Sequence, residues 1–180
     1  MPRYIRLKQR GGTFFFTLVT YRRQPLLTRP GALDMLRESL EEVRRHQPFL
    51  LRAWVILPDH GHFIWTLPPD DDDYSSRWGR LKSAFTRRLY AEMPNLKPMS
   101  AAQRRRNEKT VWQRRFWEHQ IRDSEDFTAH MDYLHYNPVR HGLVKRVSEW
   151  RYSSFHTYVE RGVYGTNWGG SAPVEIAAGE

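Results

Sequence analysis

One stretch limits this chain more than any other: Trp54-Val-Ile-Leu-Pro-Asp-His-Gly-His-Phe-Ile-Trp65. Two apolar, β-prone runs flank Pro58-Asp59, so the stretch predicts a strand, a tight turn and a returning strand. Side chains alternate between the faces of a strand, which puts His60 and His62 on one face. Two imidazoles so placed either hydrogen-bond to their surroundings or hold a divalent ion through two cis positions. The rest of the chain has to decide between these.

Ahead of the hairpin, Thr13-Phe-Phe-Phe-Thr-Leu-Val-Thr20 reads as a strand, set off by the Gly11-Gly12 turn. Pro30 suits a first helical turn. Leu33, Leu36, Leu40 and Val43 follow at helical spacing up to Gln47-Pro48. After the hairpin, Asp70 to Asp73 read as a solvated loop that caps the next helix rather than as a metal site. That helix runs from about Tyr74 to Ala91. Trp78, Leu81, Phe85 and Leu89 form its buried stripe, with Arg77, Arg80, Arg87 and Arg88 on an adjacent arc. Met93 to Lys109 lacks periodicity and reads as a basic loop containing Arg104-Arg105-Arg106. Val111 to Trp117 reads as a strand or edge segment that Glu118 to Arg122 continue. Asp123 or Ser124 caps a last helix with Phe127, Met131 and Leu134 buried, which Pro138 should end near Asn137. Gly142 marks a turn, and the aromatic tail from Trp150 is expected to pack as irregular structure. The order strand, helix, strand, strand, helix, strand, helix matches an α+β, ferredoxin-like antiparallel sheet with helices on one face. A basic N-terminal arm and an irregular C-terminal tail are added to it. No repeat or linker divides the chain, so 1–180 is expected to be one domain, with a core of about 11–145 and a tail of 146–180.

The charge balance points to a partner. Twenty-nine Lys and Arg against 20 Asp and Glu give a net charge of +9, an excess that suits a polyanion such as nucleic acid. The first 33 residues carry Arg3, Arg6, Lys8, Arg10, Arg22, Arg23 and Arg29 and no acid. This arm, the arginine arc of the second helix, and Arg114 and Arg115 are the expected phosphate contacts. Trp112, Phe116, Trp117 and the tail aromatics are candidates for stacking on unpaired bases, although most aromatics of a chain this size belong to the core. With no cysteine, neither a disulfide nor a Cys-based zinc site is available. No signal-peptide run and no stretch near the ~20 apolar residues of a membrane span occur, so the cytoplasm is the default location.

Tyr133 and Asn137 lie four apart and share a helix face, at the edge of the buried stripe. If that helix packs beside the hairpin, Asn137 can offer its amide oxygen to an ion held by His60 and His62. Tyr133 then presents its hydroxyl next to it.

Pro58-Asp-His-Gly-His-Phe-Ile-Trp65 resembles the histidine–hydrophobic–histidine (HUH) motif of single-tyrosine transposases. Met131-Asp-Tyr-Leu-His-Tyr-Asn-Pro-Val-Arg-His-Gly-Leu-Val144 resembles the tyrosine helix of their REP-associated branch. Trp112 to Arg122, which includes Arg114 and Arg115, and Trp150 to Phe155 are similar to segments of that branch too. The similarity covers roughly Gly11 to Phe155. It implies a metal site on the sheet face, with His60, His62 and Asn137 as ligands of Mg²⁺ or Mn²⁺ and Tyr133 as nucleophile. It also implies cleavage and rejoining of single-stranded DNA at REP palindromes, which fold into hairpins. Gly61 departs from the pattern, replacing the bulky residue between the histidines. Tyrosine needs activation to attack, since its ordinary pKa is about 10, and His130, His135 or water are candidate bases. A nucleic-acid-binding module without chemistry is the alternative on the same fold. A zinc hydrolase built on His60, His62 and His141 is a poorer reading, for want of a carboxylate base.

Overall fold

The computed structural model describes residues 8–93 and 111–170. Arg3, Arg6 and the arginine run at 104–106 lie outside these residues. Four strands, β1 (Thr13–Val19), β2 (Leu50–Ile56), β3 (His60–Thr66) and β4 (Trp117–Gln120), form one sheet in the order β2-β3-β1-β4. All neighbours are antiparallel. The helices are α1 (Ala32–His46), α2 (Tyr74–Glu92), α3 (Ser124–Arg140) and the short α4 (Phe155–Glu160). The expected ferredoxin-like α+β sheet is present: β1-α1-β2 crosses over β3, and β3-α2-β4 crosses over β1.

The helices are not confined to one face. Phe14, Phe16 and Leu18 of β1 and Phe63 and Trp65 of β3 pack against α1 and α2, with the rings of Trp65 and Trp78 stacked at 3.8 Å. Phe15, Ala53, Val55 and Ile64 point the other way and pack against Met131, Tyr133 and Leu134 of α3. The two central strands are therefore covered on both sides, and every residue from His60 to Trp65 is buried. This is why the Phe14-Phe15-Phe16 run does not alternate with polar residues.

Pro30 precedes α1, whose N-cap is Gly31 at φ 78°, so the proline is not in the first turn. Asp73 caps α2, accepting from the Ser76 N–H at 3.0 Å. α3 begins at the Asp123 cap but runs through Pro138 to Arg140. The proline removes only its own N–H, and the ladder resumes with the His141 N–H donating to Asn137 O at 2.9 Å. Gly142, at φ 67°, then closes the helix. Its N–H bonds Val139 O and that of Leu143 bonds Pro138 O, both at 2.9 Å, the paired pattern of a glycine-terminated helix. The tail is more regular than expected. The Ile56 N–H donates to Tyr152 O at 2.8 Å and the Ser154 N–H to Trp54 O at 2.9 Å, so residues 152–154 line the β2 edge before α4.

Candidate active site

The strand register builds the site. Thr17 pairs with His62 and Val19 with His60 across β1 and β3, and Val55 pairs with His62 across β2 and β3. Both imidazoles lie on the α3 side of the sheet, with ring centroids 5.2 Å apart. Each has its Nδ1 engaged. His62 Nδ1 is hydrogen-bonded to Thr17 Oγ1 at 2.9 Å, and His60 Nδ1 donates to Asp59 Oδ1 at 2.6 Å. That assignment directs each Nε2 to other work. Arg23 continues the chain, with its guanidinium 3.1 Å from Asp59 Oδ2. Arg22 and Arg23 hold positive φ of 54° and 51°, rare for residues with a side chain. Burial works against the Asp59 charge, yet hydrogen bonds from His60 and Arg23 hold its carboxyl below the ordinary range. Burial, reinforced by the His60 charge, pushes His62 well down, so it is a neutral imidazole.

Gly61 sits between them without a side chain because the space is taken. A Cβ there would stand 3.0 Å from Ile56 Cδ1 and 3.2 Å from Val55 O. The bulky residue expected at this point is replaced by packing from β2.

α3 carries the other two groups. The Tyr133 ring is 5.5 Å from His62 and 5.8 Å from Phe15, with Arg140 Cζ 5.3 Å from its centroid. Asn137 is fully buried. Its Nδ2 donates to Tyr133 O at 3.4 Å, which turns Oδ1 toward His62, where it favours the protonated ring. Thus His60, His62, Tyr133 and Asn137 come together from three separate parts of the sequence. The donor set, two imidazoles and one carboxamide oxygen converging on one side of the sheet, suits a divalent cation and leaves positions for other ligands. His141, at the C-cap of α3, stands beside His60 with centroids 5.0 Å apart. Burial and the His60 charge lower its pKa.

Residues 11–137 match the family described as Transposase IS200 like. The chain belongs to the IS200-like transposase family. Over its whole length it is 44% identical to the REP-associated tyrosine transposase of Escherichia coli strain K12, covering 98% of that protein. It is 41% identical to a putative REP-associated tyrosine transposase of Haemophilus influenzae, with 98% of each chain covered. A solved structure of a REP-associated tyrosine transposase bound to a REP hairpin matches with a TM-score of 0.77 at 42% identity, covering 98% of this chain and 96% of that one. These relatives are named tyrosine transposases, so the chain is a DNA-cleaving and rejoining enzyme of that class, and its family generally works with a divalent metal ion.

Within this IS200-like transposase, the expected phosphate contacts divide sharply. Arg77 is 1% exposed and is a correction: it donates to Gln47 O, Pro48 O and Asp73 O and pairs with Asp71 at 2.6 Å. A planar guanidinium with five donors satisfies the carbonyls at the end of α1 better than water could inside the fold. Arg87 and Arg88 are tied to Glu42 and Glu38 of α1, while Arg80 is exposed and, among the described residues, has no carboxylate partner. All four lie in the helix layer opposite the tyrosine. Lys8 and Arg10 are exposed near the Thr13 end of β1, which pairs with Thr66 rather than His60. Arg114 and Arg115 are exposed between the Thr20–Trp112 bridge and β4, at the His60 end of β1. Trp112 is buried, and Phe116 packs on Phe16, Tyr74 and Trp78, so these two are core rather than base-stacking platforms. Among the candidate bases, His135 is excluded by its partners, Ser154 Oγ at 2.8 Å and Tyr164 OH at 3.3 Å. Thr17, Asp59 and Arg140 are parts of the site that the sequence reading does not name, and Arg23, read there as a phosphate contact, and His141, read there only as a zinc ligand, also border it. For Asp59 the hairpin turn was signal enough, whereas Thr17 depends on a strand register that no local pattern reveals.

Proposed function

We propose that this chain is a metal-dependent transposase that cleaves and rejoins single-stranded DNA at REP-type hairpins through a 5′-phosphotyrosine. Tyr133 is the nucleophile, and His60, His62 and Asn137 hold Mg²⁺ or Mn²⁺. The proximity of the Tyr133 ring to His62, 5.5 Å away, on the helix that also sets Asn137 against that imidazole, carries the reading. The names of the relatives and of the hairpin-bound neighbour support the substrate. Residues 1–180 act as one unit in this reading, in the cytoplasm, where hairpin-forming chromosomal DNA is at hand. Among the described residues no helix is long and apolar enough to cross a membrane.

The Tyr133 oxygen attacks phosphorus in line. A bond forms between that oxygen and phosphorus as the bond to the 3′ oxygen breaks. The phenolic proton is lost and the departing 3′ oxygen gains one, leaving a free 3′-hydroxyl and a 5′-phosphate esterified to tyrosine. A later 3′-hydroxyl reverses the step without ATP. The bound cation supplies polarisation of a nonbridging phosphate oxygen. Asp59 and Thr17 fix the orientation of the two imidazoles, and Arg140 places positive charge beside the phenol as it becomes anionic. Arg114 and Arg115 stand at the right end of the sheet to hold the strand.

The test is a labelled hairpin oligonucleotide with a single-stranded flank, incubated with the protein and Mg²⁺ or Mn²⁺. A covalent complex that survives denaturing electrophoresis is expected from the parent and absent from Tyr133→Phe. Cleavage retained by Tyr133→Phe would end the assignment of the nucleophile. Binding without any adduct would favour a module that only holds the strand.

A further inference from the structure

Outside the Tyr133 centre, His119, Asp126 and His130 are the one group of three His, Asp or Glu side chains, among the described residues, whose ligand atoms all lie within 4.8 Å of one another. His119 comes from β4, while Asp126 and His130 sit one turn apart on α3 and so share a helix face. His119 Nε2 is 3.0 Å from Asp126 Oδ2, and His130 Nδ1 is 3.0 Å from Asp126 Oδ1 and donates to Asp126 O at 2.8 Å, a bond that a metal ion would replace. Ligand atoms about 2.0–2.2 Å from a tetrahedral ion stand roughly 3.4 Å from one another, so the triangle is near the size such an ion requires.

We propose that His119, Asp126 and His130 form a second metal site, which takes Zn²⁺ or a similar borderline cation and clamps α3 to the edge strand β4. Two imidazoles and one carboxylate select such an ion over Mg²⁺ or Ca²⁺, which prefer oxygen. Arg122 orients the carboxylate, donating to Asp126 Oδ2 from its backbone N–H at 3.0 Å and from Nε at 3.2 Å. That leaves Oδ1 on the His130 side. Its own guanidinium opposes a cation, but the Arg122 side chain is 73% exposed and is screened by solvent. Asp126 and His130 are 7% exposed against 29% for His119. The ion therefore enters past His119, which is also where a water completes its coordination. The rings of His119 and His130 stack at 4.4 Å and 15°, so the more exposed His119 ring has to turn before both nitrogens can face one ion. The clamp acts one helical turn ahead of Tyr133, on the same face of the sheet, and the Phe15 ring touches both His130 and Tyr133 at 5.0 and 5.8 Å. The site does not depend on the proposed DNA chemistry.

The experiment uses the full chain with His60→Ala and His62→Ala, so that the other imidazole pair is silent. Co²⁺ is titrated and its visible absorption followed, with Zn²⁺ as competitor. A saturable tetrahedral band displaced by Zn²⁺ is expected, and adding His119→Ala should abolish it. A second readout needs no further substitution: the side-chain nitrogen resonances of His119 and His130 should move on Zn²⁺ addition while those of His135 stay still. Absence of the band, its survival in both His119→Ala and His130→Gln, or unmoved resonances would each leave only an ion-pair network and overturn the proposal.

Discussion

At the scale of single residues, the site depends on side chains that never touch substrate. Asp59 is the clearest. It fixes which nitrogen of His60 carries the proton and is itself held by Arg23, while its backbone carbonyl takes the Thr20 N–H and hydroxyl at 2.8 and 2.9 Å. An imidazole released from such a partner samples other orientations and becomes a weaker ligand. Asp59→Ala should therefore reduce affinity for the activating divalent ion about 10–100-fold, read by Mn²⁺ titration of adduct formation. Arg23→Ala should give a smaller loss in the same direction, and an unchanged Mn²⁺ dependence in Asp59→Ala would remove it from the site. Part of this was legible beforehand. His60, His62, Tyr133 and Asn137 are readable because strand and helix periodicities place each pair on one face. Thr17 and the His119–Asp126–His130 group are not, because their meeting depends on register and on where α3 docks.

At the scale of elements, α2 shows why charge patterning misleads. On a helical wheel Arg77, Arg80, Arg87 and Arg88 look like one solvated stripe, but the pattern cannot tell an arginine facing water from one facing the carbonyls of a neighbouring helix. Arg77 turns inward to the end of α1 and joins two elements. Removing it leaves buried acceptors without donors, so Arg77→Ala should cost about 3 kcal/mol of stability, measured by urea unfolding. Its effect on the salt dependence of DNA binding should be nil. Arg114→Ala should do the reverse, leaving unfolding unchanged and lowering the slope of log affinity against log salt by about one. If Arg77→Ala alters the slope and Arg114→Ala does not, the assignment of the strand-binding end of the sheet is wrong.

At the scale of the whole molecule, one sheet separates two cores. The α1–α2 side is mostly aromatic and aliphatic, and its stability comes from burial. The α3 side contains the reactive groups, and its outer flank is closed by the tail through polar contacts deep in the protein. His135 of α3 bonds Ser154 and Tyr164. Ser154 Oγ in turn accepts from the Trp54 N–H at 3.0 Å, and Tyr164 OH donates to Asp132 at 2.8 Å. The tail, α3 and the β2 edge are thus joined around one imidazole, whose burial pushes its pKa down to about 3. The unfolded chain takes up that proton near the ordinary pKa of about 6.5. Between these values the unfolded state binds more protons than the folded one, so stability falls as pH falls, by up to about 1.4 kcal/mol for each unit crossed. The contribution is complete above about pH 6.5 and declines toward about pH 3. His62, also buried and shifted down, adds to the slope in the same sense. Urea midpoints at pH 7, 5.5 and 4 should therefore decrease steeply in the parent. His135→Gln, which keeps a donor and an acceptor but does not titrate, should start lower at pH 7 and lose less on acidification. Equal slopes in the two proteins would show that this imidazole is not what ties the tail to the helix.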